Sequence, residues 1–196
     1  MVLRRFHYDK AFEHYLRCKA IPYVAVDEAR RALCLETPST AATPEGLKLA
    51  HPGAGSLPGV HKLKNFDFVV YATRGPNLLV DVKGRKVAQR GGSTASFGSV
   101  GWVTEDDVAD LRQWRRIFGA GFDAAFVFLF WCDAQPADAL FHEVFELSGR
   151  WYVVQAVMLS DYEKAMKPRS ARWHTVSVPT DDFEKIAQPL ASMLGV

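Results

Sequence analysis

Cysteine is scarce in this chain: Cys18, Cys34 and Cys132 are an odd number and form no CxxC pair. That argues against a disulfide framework and against a structural zinc site, which needs closely spaced ligand pairs. Long apolar runs are also lacking. The longest, Ala124 to Cys132, falls far short of the roughly 20 residues that a bilayer-crossing helix needs. No signal-peptide pattern opens the chain, because Met1 to Arg5 leads straight into charged sequence, so a reducing cytoplasm is the expected location and no membrane partner is expected. None of the six histidines falls in an HExxH or zinc-like spacing, and there is no GxSxG elbow. The glycine-rich stretch from Gly91 to Gly101 lacks GxxxxGK[ST], which excludes a nucleotide P-loop; it either approaches a phosphate backbone or merely crosses to the next helix. Charge of one sign is missing too. Lys and Arg number 24 against 22 Asp and Glu, a net +2, so the overall field does not announce nucleic acid.

What is present is an ordinary globular composition over 196 residues, 48% hydrophobic and 23% charged. One domain is expected across 1–196, with a core at about 5–134 and a C-terminal extension at 135–196. Arg5 to Ala20 has the periodicity of an amphipathic helix, with Tyr8, Ala11, Phe12, Tyr15 and Lys19 on one stripe and Glu13 at its rim. Ile21 to Asp27 reads as a strand, and Glu36 to Gly59, rich in Pro, Thr, Ser, Ala and Gly, as a long surface loop.

The informative stretch is Lys64 to Lys86, KNFDFVVYATRGPNLLVDVKGRK. Two strands, Phe66 to Ala72 and Asn77 to Val82, flank a Thr-Arg-Gly-Pro-Asn turn, and each apolar strand is interrupted by an acid, Asp67 and Asp81. A tight hairpin centred on Arg74 sets residues opposite one another when their numbers sum to 148, which pairs Asp67 with Asp81. Opposed residues share a sheet face with Cβ atoms roughly 4.5–5.5 Å apart, and strand alternation brings Lys83 to the same face. Two carboxylates that close repel unless a cation lies between them, and Mg²⁺ takes such ligands together with substrate phosphate.

Thr104 caps a second helix with Asp107 at the capping-box position; Val108, Leu111, Trp114 and Phe118 form its apolar stripe, and Gly119 and Gly121 end it. Ala124 to Cys132 reads as a strand covered on both faces. Phe141 to Leu147 and Trp151 to Leu159 are strands joined at Ser148-Gly149-Arg150, followed by a short helix at Asp161 to Met166. Asp181 to Leu194 reads as a closing helix that Pro189 kinks or splits. Between them lies Lys167-Pro168-Arg169-Ser170-Ala171-Arg172-Trp173, either a surface for phosphates and a stacked base or a core Trp beside surface arginines.

Asp67 followed by Asp81-Val82-Lys83 resembles the motif of the PD-(D/E)xK nuclease superfamily, with Phe66 where the namesake proline stands. The order αβββαβ is that of its restriction-endonuclease-like fold, an α/β fold with a mixed sheet flanked by helices, here with extra C-terminal strands and a helix. HYDKAFEHYLRCKAIPYVAVDEARRAL is similar to a bacterial family known by its N-terminal HYExAFE motif, Asp9 replacing the motif's Glu. That likeness extends through FDFVVY, LLVDVKGRK and RSARWHTVSVP; it supplies a family and no activity.

The superfamily resemblance implies that Asp67, Asp81 and the Val82 position hold Mg or Mn, and that Lys83 assists the attacking water. It also implies that Glu13 is either a third carboxylate or a solvated surface acid. The second helix would border the site, so Gln113 and Arg116 either touch substrate or form an exposed face; Arg85, Lys86 and Arg172 are the basic candidates for nucleic-acid contact. The expected function is metal-dependent hydrolysis of phosphodiester bonds in DNA or RNA. An inactive nuclease-fold module binding nucleic acid or a protein is the alternative, and homodimerisation stays open.

Overall fold

The computed structural model describes residues 3–27, 63–87, 101–136 and 139–196. The expected loop at 36–59 and most of the glycine-rich stretch lie outside the described residues. Helix α1 (Leu3–Cys18) is followed by β1 (Tyr23–Ala25), β2 (Phe68–Val70), β3 (Asn77–Val87), β4 (Trp102–Thr104), α2 (Glu105–Phe118) and β5 (Phe122–Cys132). Then come a 3-10 turn (Ala139–Phe141), β6 (Glu143–Leu147), β7 (Arg150–Met158), α3 (Leu159–Ala165), β8 (Lys167–Ser170), β9 (Thr175–Ser177), α4 (Thr180–Ile186) and α5 (Leu190–Leu194).

Six strands form one mixed sheet in the order β1-β2-β3-β5-β7-β6. The β2–β3 hairpin has the anticipated register, Phe68 opposite Val80, Val69 opposite Leu79 and Val70 opposite Leu78. Gly75 at φ 84° supplies the left-handed residue that its turn requires. From β3 the chain crosses over through α2 and returns as β5, parallel to β3 from Asn77–Phe122 to Val87–Cys132. Strand β7 runs antiparallel to β5, and β6 pairs with β7 across Ser148 and Gly149, both at positive φ as a tight hairpin turn demands. The main-sheet order αβββαβ and the helices on its faces make this a mixed α/β arrangement with the element order expected from the sequence.

Alternation along β3 creates two cores. Leu78, Val80 and Val82 face α1, where Phe12, Tyr15 and Leu16 meet them together with Leu190 and Leu194 of α5. Leu79 and Val87 face the other way, toward Val108 and Leu111 of α2 and the ladder Phe126, Phe128, Phe130 of β5. Asp81 and Lys83, two and four residues after Leu79, share that second face.

The HYDKAFE segment gains a structural reason from the first core. Ala11 and Phe12 are completely buried, the His7 ring stands edge-on to Trp131 of β5 at 5.3 Å, and the Tyr8 ring lies so close to Gly84 that no Cβ fits there.

Several boundaries and stripes differ from expectation. Leu16 completes the buried stripe of α1, whereas Lys19 is exposed and reaches Glu143 at 3.9 Å. Trp114 and Phe118 are only partly buried and close on Phe66 at 5.4 and 5.7 Å. Phe141 stands 84% exposed in the 3-10 turn instead of beginning β6. Pro189 splits the closing helix: Gln188 exchanges both backbone hydrogen bonds with Ala156 at 2.8 and 2.9 Å, so α4 and α5 are separate. The basic segment after α3 becomes β8, which pairs with β9 at one edge of a second, three-stranded sheet in the order β4-β9-β8. Strands of three or four residues, half polar, carry too little alternation to be read locally. No helix among the described residues is long and apolar enough to cross a membrane.

Candidate metal centre

Asp67 stands one residue before β2, and its N–H donates at 2.9 Å to the carbonyl of Val80, the residue already paired with Phe68, so the regular ladder ends here. At Val82 the ladder opens, and the Val82 N–H donates instead to Asp67 Oδ2 at 2.8 Å. The side chain thus replaces a backbone acceptor where the two strands part. This also explains why β2 is shorter than the apolar run around it. Asp81, the next β3 residue after the Val80 to which Asp67 is bonded, is 4% exposed, and Lys83 is 8% exposed.

Lys83 Nζ lies 2.8 Å from Asp81 Oδ2 and 2.8 Å from Asp107 Oδ2, with the Phe126 ring 5.8 Å away. Asp107 reaches this point because the start of α2 is locked by a capping box. Thr104 Oγ1 accepts from the Asp107 N–H at 3.0 Å, and Asp107 Oδ2 accepts from the Thr104 N–H at 3.1 Å. The other oxygen of Asp107 pairs with the Lys64 ammonium. Lys64 is held in turn by Asp110, whose Oδ2 accepts its N–H at 3.0 Å, and by the Trp114 indole, which donates to its carbonyl at 2.8 Å. The result is an alternating chain of charge, Lys64, Asp107, Lys83, Asp81, with Asp67 at its end.

Electrostatics separate the two buried acids. Burial pushes the Asp81 carboxyl up to about 6; Lys83 opposes this, while Asp67 and Asp107 add to it. Burial acts the same way on Asp107, but the ammonium groups of Lys83 and Lys64 outweigh it and hold that carboxyl well below the usual carboxylate range. Asp107 is therefore a fixed anion. Asp81 is a strained one, and its Oδ1 is buried without a hydrogen-bond partner. A buried carboxylate oxygen with nothing donating to it, beside a second acid, suits a hard cation that needs only one or two protein carboxylates and keeps its remaining positions for water and phosphate. Among the described residues no three His, Cys, Asp or Glu side chains group closely enough to hold a metal.

Of the residues singled out from sequence, Asp67, Asp81 and Lys83 come together. Glu13 does not join them: it lies on α1, across the sheet from Asp81 and Lys83, with the Arg17 guanidinium 3.7 Å away. The Val82 side chain packs on the α1 side. Arg85 follows Lys83 on the same face but is turned inward; its guanidinium donates to the carbonyls of Gly84 at 2.9 Å and Trp102 at 2.6 Å. Lys86 points to the α1 side, over the Trp131 ring and 2.9 Å from Asp133. Gln113 and Arg116 are exposed on α2, and Arg172 is exposed in the turn between β8 and β9.

Lys64 and Asp107 were not singled out from sequence as part of the centre. Asp107 read as a cap, which it is. The overlooked signal was a pair of acids at i and i+3, Asp107 and Asp110, flanking the apolar Val108 and Leu111; both are buried, at 6% and 5% exposure.

The sheet, crossover helix and paired acids define a mixed α/β fold carrying a compact carboxylate and lysine cluster at the point where two strands part. No family model and no curated protein matches the chain. Among solved structures it is similar to Hjc, a Holliday junction resolvase from Archaeoglobus fulgidus, at 14% identity and a TM-score of 0.49, over 97% of this chain and 99% of that one.

Proposed function

We propose that the chain is a divalent-cation-dependent nuclease of the PD-(D/E)xK type, hydrolysing phosphodiester bonds in nucleic acid, with DNA the first substrate to test. The observation that carries this reading is the buried, unpartnered Asp81 Oδ1 beside a second acid, Asp67, with Lys83 Nζ 2.8 Å from the other oxygen. Asp67 and Asp81 would hold Mg²⁺ or Mn²⁺ beside the Val82 backbone. The cation supplies Lewis acidity and positive charge at the scissile phosphate.

The protein's own contribution lies in Lys83. Its ammonium is fixed between two carboxylates, so its remaining donor capacity is aimed without rotamer loss at an incoming water or a non-bridging phosphate oxygen. Asp107 secures that position from the far side, and Lys64 keeps Asp107 charged. Arg116, Gln113 and Arg172 are the exposed candidates for holding the nucleic acid, while Glu13 retains at most an indirect role.

Purified protein with Mg²⁺ or Mn²⁺ should cleave at least one form of DNA or RNA, and Asp81→Ala should reduce the rate by at least the roughly 10–100-fold that losing even an outer partner of a metal ligand costs. Cleavage unaltered by that substitution contradicts the assignment. The absence of a third grouped acid among the described residues favours one other reading, a nuclease-fold module that binds nucleic acid without cutting it. That module would bind DNA yet show neither cleavage nor a Mn²⁺-dependent rise in melting temperature.

A further inference from the structure

The second sheet places a row of cations and indoles beside the centre. Arg85, two residues beyond Lys83 on the same face of β3, lies over the Trp102 ring of β4 at 4.3 Å, and Arg169 of β8 lies over the same ring at 5.0 Å. Strand β8 is an edge strand, with Lys167 and Arg169 exposed. Beyond it, in the turn to β9, Trp173 is 68% exposed with the Arg172 guanidinium 5.2 Å from its ring centre.

The turn is fixed in place. The His174 carbonyl accepts the Glu105 N–H at 2.8 Å, and His174 adopts φ 44°; Glu105 opens the same helix whose Asp107 grips Lys83. Glu105 is also the acid facing this turn, 3.6 Å from the His174 ring.

Edge protection alone explains lysine and arginine on β8. It does not explain an indole of which two-thirds meets water on a rigid turn, with a guanidinium over it. Two guanidinium groups also converge on the Trp102 ring, that of Arg85 turned inward and that of Arg169 on the exposed edge strand. A ligand that offers phosphates at short intervals and flat rings between them meets both features.

We propose that β8 and the 171–174 turn form a platform for single-stranded nucleic acid leading to Lys83, one base stacking on Trp173 while Lys167, Arg169 and Arg172 contact phosphates. The choice of occupant rests on the nuclease reading above; the platform itself rests on the second sheet. A duplex presents its bases edge-on, so stacking on Trp173 requires an unpaired stretch.

The test is fluorescence anisotropy of a labelled oligothymidylate with full-length protein in EDTA, where no metal-dependent cleavage intervenes. Trp173→Ala should weaken binding about tenfold, a typical loss for one stacked base, and Trp173→Phe should retain most of the affinity. Arg172→Ala should flatten the dependence of log affinity on log salt by about one unit. Wild-type affinity in Trp173→Ala, no binding by the wild type, or equal binding of polyglutamate overturns the proposal. Melting curves with and without Mn²⁺ on the same proteins probe the metal centre separately. Trp173→Ala should keep the wild-type shift, so a lost shift in the wild type indicts the nuclease reading and an unchanged oligothymidylate affinity indicts the platform.

Discussion

Asp81 is the residue under most tension. Its folded pKa, raised to about 6, lies above the ordinary carboxylate value, so the folded state holds this proton more tightly than the unfolded chain does. Stability that depends on the protonated form is fully present below the unfolded pKa and is lost as pH rises through the folded one. Ionisation of Asp81 therefore costs the metal-free protein stability progressively from about pH 4, and in full above about pH 6. Asp81→Asn should be more stable than wild type at pH 8 by on the order of 1–3 kcal/mol in urea denaturation, and the gain should shrink through pH 5 and vanish below about pH 4. A gain independent of pH, or a loss at pH 8, is inconsistent with this picture. At the same scale the sequence was legible where a rule is local. The sum of 148 gives the observed register of Phe68 to Val70 on Leu78 to Val80, because a two-strand register follows from one turn; it breaks at Asp67, whose N–H goes to Val80. Asp107 eluded this reasoning because its partner, Lys83, is contributed by another element, and a cap and a buried ion-pair partner look alike in one dimension.

At the scale of elements, β3 reports to both sides of the sheet. Its odd positions carry the acid and lysine of the centre, and its even positions receive α1. Gly84 is the contact point: the Tyr8 ring occupies the space that a Cβ would take. Gly84→Ala should displace Tyr8 and destabilise the fold by about 1–3 kcal/mol, measured by chemical denaturation, and Tyr8→Ala should relieve much of that penalty in the double variant. Additive losses would show that the two residues do not meet. The elements legible in sequence were those with long, strong periodicity, such as β5, the α2 cap and the β6–β7 turn. The small sheet was not, because β4, β8 and β9 owe their pairing to partners up to 75 positions away, from Trp102 to Ser177. The Glu13 expectation was an inference from resemblance, and the placement of α1 across the sheet separates that acid from the pair.

For the whole molecule, a net charge of +2 conceals a polarised arrangement. Among the described residues, Asp67, Asp81 and Asp107 lie near the point where β2 and β3 part, while Lys167 and Arg169 are exposed on β8, Arg172 in the 171–174 turn and Arg116 on α2. A polyanion approaching this surface meets positive charge before it meets the carboxylates, and those need a divalent cation to tolerate phosphate. The central claim is therefore that Asp67 and Asp81 share an ion. Crystals soaked in Mn²⁺ and measured near the manganese absorption edge test it most directly. The account predicts one anomalous peak between the two carboxyl groups that disappears in Asp81→Ala; no peak there, or a peak that persists in that variant, contradicts it.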